Sequence, residues 1–345
     1  MKKMLILTGF LLLFACKTAS DIDPSIGDQK GNEDQLQFNA IYTDSLWDIY
    51  QLSGEIAEKG LYAWLSLQVD QDYFYIAYYS TYYKILKVNR ADLGISEINY
   101  LLEYISNGDT IRNYGLSEIL LAADGRLAVG NWSNSYLAFI SDSSVDTLRI
   151  DQERLNNDIH CFKRLNPSQF LIGTHYGIIK LYDENSQTIS DYTTVDYGSH
   201  IDEILLAAGQ ISWVDGEDGL YLNDNGSWTE VYPHSASALI QHDQQLHYSF
   251  ADTVFVYENG NSSAFAVDSL TNGSLLYHGL LSNQNKAVFI TDGFRFIIKE
   301  SNYFRSLDLP ISENTSYKYR SFIDSDGSYW FFNSTGLLVH YRGEF

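Results

Sequence analysis

The sequence is short of cysteine, proline, methionine and positive charge. Two cysteines, Cys16 and Cys161, stand in 345 residues. Two thiols cannot build a thiolate metal cluster, and once Cys16 is set aside Cys161 has no partner for an intrachain disulfide. Stability therefore has to come from a packed core. Only 22 Lys and Arg face 44 Asp and Glu, a net charge of −22. Polyanion binding requires Lys and Arg to neutralise phosphates, so nucleic acid is excluded as a partner. An acidic surface of this size serves solubility instead. No stretch carries the 3.6-residue apolar periodicity of a long amphipathic helix. The signatures of common catalysts are missing too: there is no G-x-S-x-G elbow, no H-E-x-x-H and no phosphate loop. No catalytic set and no cofactor are expected.

What is abundant is aromatic: 27 Tyr, 18 Phe and 6 Trp. That bias favours strands. At the start, Lys2 and Lys3 precede one apolar run, Met4 to Ala15. The run is too short to span a membrane, which takes roughly 20 apolar residues. It has the flanks of a secretory signal peptide. It stops at Leu13-Phe14-Ala15-Cys16, which resembles the lipobox of bacterial lipoproteins, with Phe14 a departure from the usual small or polar residue. The resemblance implies a signal peptide over residues 1–16 and a lipid anchor on Cys16. Residues 17–36 are polar and acidic and cannot bury enough surface to order themselves, so they read as a tether. Asp21 and Asp23 resemble the surface-export signal of Bacteroidetes lipoproteins. The location these features imply is the outer membrane, with the domain held by its lipid and facing the periplasm or the cell exterior.

From residue 37 to 345 one pattern repeats. Ile159 to Tyr182 reads IHCFKRLNPSQFLIGTHYGIIKLY, and Tyr319 to Tyr341 reads YRSFIDSDGSYWFFNSTGLLVHY. Each is an apolar run, a turn, a second run, a turn with Gly, and a third run ending in Tyr. The same grammar begins near 62, 116, 158, 201, 236, 275 and 319. The spacing matches the roughly 40–50 residues of a propeller blade. One such sheet cannot bury both faces alone, whereas seven arranged radially bury one another. The expectation is an all-β chain, a single β-propeller of seven four-stranded blades. The segment from Gln37 to Tyr50 is strand-like and is expected to supply the missing outer strand of the last blade, closing the ring. A two-sheet sandwich with an extra domain is the rival architecture.

Asp324 to Trp330 with Gly336, Leu337 and Tyr341 resembles the two-component-regulator propeller repeat, as does Leu171-Ile172-Gly173-Thr174 with Gly177 and Tyr182. The resemblance covers about a quarter of the chain and implies an exported, ligand-sensing propeller. No signalling domain accompanies it.

In a propeller, the loops between second and third strands share a face with the entries to the innermost strands. Those loops hold Tyr78, Tyr79 and Tyr82, then Asn131 and Trp132, then His175 and Tyr176. Tyr and Trp are apolar on the ring and polar at the tip, which suits them to ligand platforms, although they equally pack between blades. His160 and His278 occupy the same register at the openings of two innermost strands. No histidine pair has the close spacing of a metal site; His242 and His247 are the nearest approach, and no metal is assigned. Asp324-Ser-Asp326-Gly327 and Asp215-Gly-Glu217-Asp218 look faintly like calcium loops but lack the full oxygen set. The function expected is a non-catalytic binding module for a glycan, peptide or protein. The alternatives are a hydrolase or lyase at the central channel, and a scaffold subunit of an outer-membrane complex.

Overall fold

The computed structural model describes residues 36–345, with the exception of 54–61, 80–82, 99–102, 107–108, 113–115, 132–134, 142–143, 152–153, 155–156, 196–199, 243–244, 302 and 312–318. Of the strand residues 62–65, 78–79, 83–84, 103–106 and 109–112 it describes the backbone alone. Every expected unit is a sheet. Two strands, β1 (Gln37–Thr43) and β2 (Trp47–Ser53), precede the first blade. Blade I holds β3 (Tyr62–Val69), β4 (Tyr73–Tyr79), β5 (Tyr83–Asn89) and β6 (Ile95–Ile98). A separate hairpin, β7 (Glu103–Ser106) and β8 (Asp109–Arg112), fills the long interval before the next blade. Blade II holds β9 (Leu116–Leu121), β10 (Leu127–Asn131), β11 (Tyr136–Ile140) and β12 (Val145–Arg149). Blade III holds β13 (Ile159–Asn166), β14 (Gln169–Thr174), β15 (Ile178–Asp183) and β16 (Thr188–Thr194).

Blade IV is β17 (Ile201–Ala207), β18 (Gln210–Gly216), β19 (Gly219–Asp224) and β20 (Ser227–Tyr232). Blade V is β21 (Ala238–His242), β22 (Gln245–Phe250), β23 (Thr253–Glu258) and β24 (Asn261–Ala266), followed by a single helical turn, α1 (Asp268–Thr271). Blade VI is β25 (Leu276–Leu281), β26 (Ala287–Thr291), β27 (Phe296–Lys299) and β28 (Phe304–Leu307). Blade VII takes β29 (Tyr319–Ile323), β30 (Tyr329–Asn333) and β31 (Leu337–Tyr341) from one end of this span, and β2 and β1 from the other. The result is a seven-bladed β-propeller, all strands antiparallel within each blade.

Closure differs from expectation in one detail. The fourth strand of blade VII is β2, paired with β31 through Trp47↔Tyr341, Ile49↔Val339 and Gln51↔Leu337. β1 then adds a fifth strand outside it. The turn between them is built by Asp44, whose Oδ1 accepts the backbone N–H groups of Leu46 and Trp47 at 2.7 Å each. Short polar side chains that bond to the backbone two and three residues on are the usual makers of such turns.

There is no single core. Among the described residues the buried apolar side chains form seven clusters, one at each seam between neighbouring blades. The seam between blades VI and VII is the most aromatic. Trp47, Phe294, Phe296, Tyr319, Tyr329, Phe331, Tyr341 and Phe345 meet there. Blades III and IV come close at Gly173, where an added Cβ would lie 2.5 Å from Cys161 Sγ in its own blade and 2.7 Å from Ile201 Cγ2 in the next, as blades II and III do at Gly130. The Gly of the Leu171–Thr174 motif is thus a requirement of packing, and it brings the entry of β17 against the end of β14.

Candidate functional site

That close seam assembles a site the separate segments do not advertise. β13 begins with Ile159, fully buried, and places His160 next to it at the strand entry. β14 ends at Thr174, whose hydroxyl donates to the carbonyl of Ile178 at 2.8 Å. His175 follows, and its backbone N–H donates to the Asp158 carbonyl at 3.0 Å, fastening the loop to the entry of β13. His200 directly precedes β17, its carbonyl accepting from Glu217 N–H at 3.2 Å. Three segments therefore deliver three imidazoles to one point on the face that carries the loops between second and third strands.

The geometry is tight. Ring centroids of His160 and His200 are 4.3 Å apart, and those of His175 and His200 are 4.1 Å apart. One ring nitrogen from each of the three lies within 4.8 Å of the others. His160 is buried, and the other two are half-buried. Carboxylates stand behind two of them: His160 Nδ1 is 3.4 Å from Asp202 Oδ1, and His200 Nδ1 is 3.5 Å from Glu217 Oε2. His175 Nδ1 is buried with no hydrogen-bond partner in the protein. Burial, and then the neighbouring imidazoles His200 and His160, push His175 below the ordinary histidine range. His200 is lowered for the same reasons, burial first and His160 second. Nearby, burial raises the Asp158 carboxyl to about 6. Imidazoles with carboxylates behind them can bind a metal ion or stack on an aromatic or planar group.

The other expected site residues distribute unevenly around this cluster. Tyr176 meets His175 edge-on at 4.8 Å, and the Arg154 guanidinium lies 5.1 Å from the Tyr176 ring centroid. Tyr78 and Tyr79 end β4, on the same face, with their backbone alone described. Tyr82, Trp132 and Cys16 lie outside the described residues. Asn131 is buried at the end of β10. His278 is on blade VI, away from the cluster, and its Nε2 is 2.8 Å from Ser321 Oγ. His200 escaped the sequence reading because nothing in the stretch before it is periodic. Its one signal is that it precedes a strand entry, as Asp158 precedes that of β13.

A second polar group occupies the central channel. Arg320 on blade VII lies 3.8 Å from Glu118 of blade II, and Ser66 of blade I donates to the same carboxylate. Burial raises the Glu118 carboxyl, with Arg320 and Lys163 opposing. Glu203 of blade IV is exposed to the channel, yet the protein crowding it raises its carboxyl likewise, opposed first by Lys163 and then by Arg320. Burial and the positive Arg320 drive His278 down to about 3. One arginine acting on groups from blades II, IV and VI places these side chains around a shared axis.

The loops that look faintly like calcium sites are otherwise engaged. Asp324 pairs with Arg90, and Asp326 accepts both the backbone N–H and the hydroxyl of Ser328. Asp215 accepts Ala236 N–H and Ser235 O–H at 2.9 Å each, a clasp between blades IV and V. His242 and His247 line a groove of about 290 Å³ together with Lys286 and Lys299. Burial and the Lys299 charge hold His247 down at about 4, and Glu300 in the same groove is taken up by Lys286 at 3.0 Å.

No protein-family model matches the sequence, and no curated protein matches it. Solved structures do resemble it in fold. Virginiamycin B lyase from Staphylococcus aureus superposes with a TM-score of 0.63 at 11% identity, covering 85% of this chain and 98% of the lyase. A chain of the mitotic checkpoint complex gives 0.60 at 12% identity, covering 98% of this chain and all of its own. BBS1N, solved in complex with ARL6DN, gives 0.60 at 13% identity, covering 88% of this chain and 98% of its own. At such identities the likeness shows the propeller fold alone.

Proposed function

We propose that the chain is an exported, lipid-anchored propeller that captures a ligand without transforming it. The anchor is Cys16 and the membrane is the outer membrane. The capture face is the one bearing His160, His175, Tyr176 and His200, and we extend it on the sequence alone to Tyr78, Tyr79, Tyr82 and Trp132. The observation that carries this reading is the convergence of half-buried imidazoles and an aromatic ring, backed by Arg154, at one place on that face. Planar rings with polar edges suit a glycan, a peptide segment or a partner protein. Two of the structural neighbours were solved in assemblies with other proteins, which supports a protein ligand. A scaffold role would call for a broad exposed apolar patch. The exposed large apolar residues, such as Ile41, Tyr192, Phe250 and Tyr303, are instead spread over several blades.

A second reading is favoured by one observation. Glu118, 3.8 Å from Arg320, and Glu203, exposed to the same channel, are carboxyls raised by loss of bulk solvent, as a general acid at the channel would be. A neighbour on this fold is a lyase. The capture test separates the two: pull-down from native membranes beside a glycan array, with wild type, Tyr176→Ala, Trp132→Ala and Glu203→Gln. Loss of the bound ligand in the first two variants and its retention in the third supports capture on the face. Retention in all of them rejects this face.

A further inference from the structure

We propose that His160, His175 and His200 form a binding site for a first-row divalent transition metal, of which Zn²⁺ is the representative ion. Three imidazole nitrogens within 4.8 Å of one another are a ligand set that suits Zn, Cu, Fe or Ni, and is too soft for Ca²⁺ or Mg²⁺. With Zn–N bonds of about 2.1 Å, a tetrahedral site sets its nitrogens about 3.4 Å apart. The three rings hang from the ends of strands and the start of a loop, so rotation about their side-chain bonds closes the remaining gap without moving the sheets.

The surroundings have the character of a built site. Metal-binding histidines characteristically give their second ring nitrogen to a carboxylate, which fixes the tautomer and raises ligand basicity. Asp202 stands in that relation to His160, and Glu217 to His200, each through Nδ1. Nε2 of both rings is then the ligating atom. His175 brings a buried Nδ1 that no protein group meets. Glu217, Asp202 and Asp218 all bear electrostatically on His200, so the local field favours a cation. Three protein ligands leave a fourth coordination position. Since His175 and His200 are only half-buried, that position opens to solvent and to a donor atom of any ligand on the face.

Metal occupancy stands apart from ligand capture, and the experiment keeps them apart. The full chain is stripped with a chelator, dialysed and titrated with Zn²⁺ by calorimetry, and with Co²⁺ followed through its visible d–d bands. Wild type is expected to take one equivalent saturably, and to give the intense bands of four-coordinate Co²⁺. His200→Ala and His175→Ala are expected to weaken binding at least about a hundredfold, and Asp202→Asn about tenfold, in line with losses at supporting carboxylates. His242→Ala, outside the cluster, and Tyr176→Ala are expected to bind as wild type does. Circular dichroism and apo melting temperature check that each variant is folded. Should the buried His160 prove necessary for folding, the half-buried His200 still decides the matter. Absence of saturable one-to-one binding in wild type overturns the proposal, as does equal affinity in wild type and folded His200→Ala.

Discussion

Trp47 stacks on Tyr341 with ring centroids 4.2 Å apart and planes 28° apart. The pair joins the first strand of blade VII's outer half to its third meander strand, and it is where the ring shuts. Trp47 also stacks on Phe296 of blade VI at 6.0 Å. Trp47→Ala should cost about 3–5 kcal/mol, the range for truncating a large buried aromatic. Urea denaturation followed by circular dichroism measures it. Trp47→Phe should lose clearly less, and equal losses would show that the indole's stacking is not what holds the closure.

A side chain at Gly173 has nowhere to go, with Cys161 and Ile201 pressed against it. Gly173→Ala should destabilise by about 1–3 kcal/mol, the usual range for overpacking. Part of that should be recovered in the double variant with Cys161→Ala, which removes the nearest atom. A double-mutant cycle on melting temperatures reads the coupling, and strict additivity would contradict the contact.

His278 sets a pH dependence. Its folded value is about 3 against an ordinary 6.5, so between those limits the unfolded chain binds the extra proton. The sign follows: above pH 6.5 the group contributes no difference, and stability falls as pH drops toward 3. At 1.36 kcal/mol per unit, the loss is about 2 kcal/mol at pH 5. His278→Gln keeps a hydrogen-bonding group beside Ser321 but cannot titrate. It should flatten the stability profile between pH 6.5 and 4, measured by denaturant midpoints across that range. A profile identical to that of wild type would remove His278 as the cause.

The proposed lipid on Cys16 has a thiol count attached to it. Cys161 is buried and its thiol is pushed well up by burial and by nearby carboxylates, so the native protein should resist maleimide. Unfolded protein from the membrane fraction should label once, at Cys161, if Cys16 is held as a thioether as proposed. Cys16→Ala should abolish incorporation of labelled fatty acid and release the protein from the membrane. Two labelled thiols in the unfolded membrane form would refute the anchor.

The blades were legible because each one needs two tight turns, and tight turns demand Gly, Asn or Asp at fixed places between alternating apolar runs. The expected starts near 158, 236 and 275 fall beside strands that begin at Ile159, Ala238 and Leu276. β1 was not resolved from β2 because it lies at a sheet edge with mostly exposed side chains, so no burial pattern marks it. The hairpin β7–β8 left only a long interval between units. The histidine cluster was half legible. His160 stood out by its register and His175 by its place in a loop, but the third member lies 40 residues from the first along the chain and meets it where two blades press together at Gly173.

Blade VII has a consequence for how the molecule comes into being. Gln51 donates to the Thr335 carbonyl at 2.9 Å across a sequence separation of 284 residues. During synthesis β2 emerges before any blade exists, and its ladder partner β31 emerges after six of them. Until then a strand with an apolar stripe and an open hydrogen-bonding edge waits unpaired, a condition that invites association between chains. Contacts of such high sequence separation form late and slowly. The closing pair is therefore the step at which a nascent chain is most exposed to misassembly, and a chain crossing a membrane unfolded would need that edge shielded until its last strands arrive.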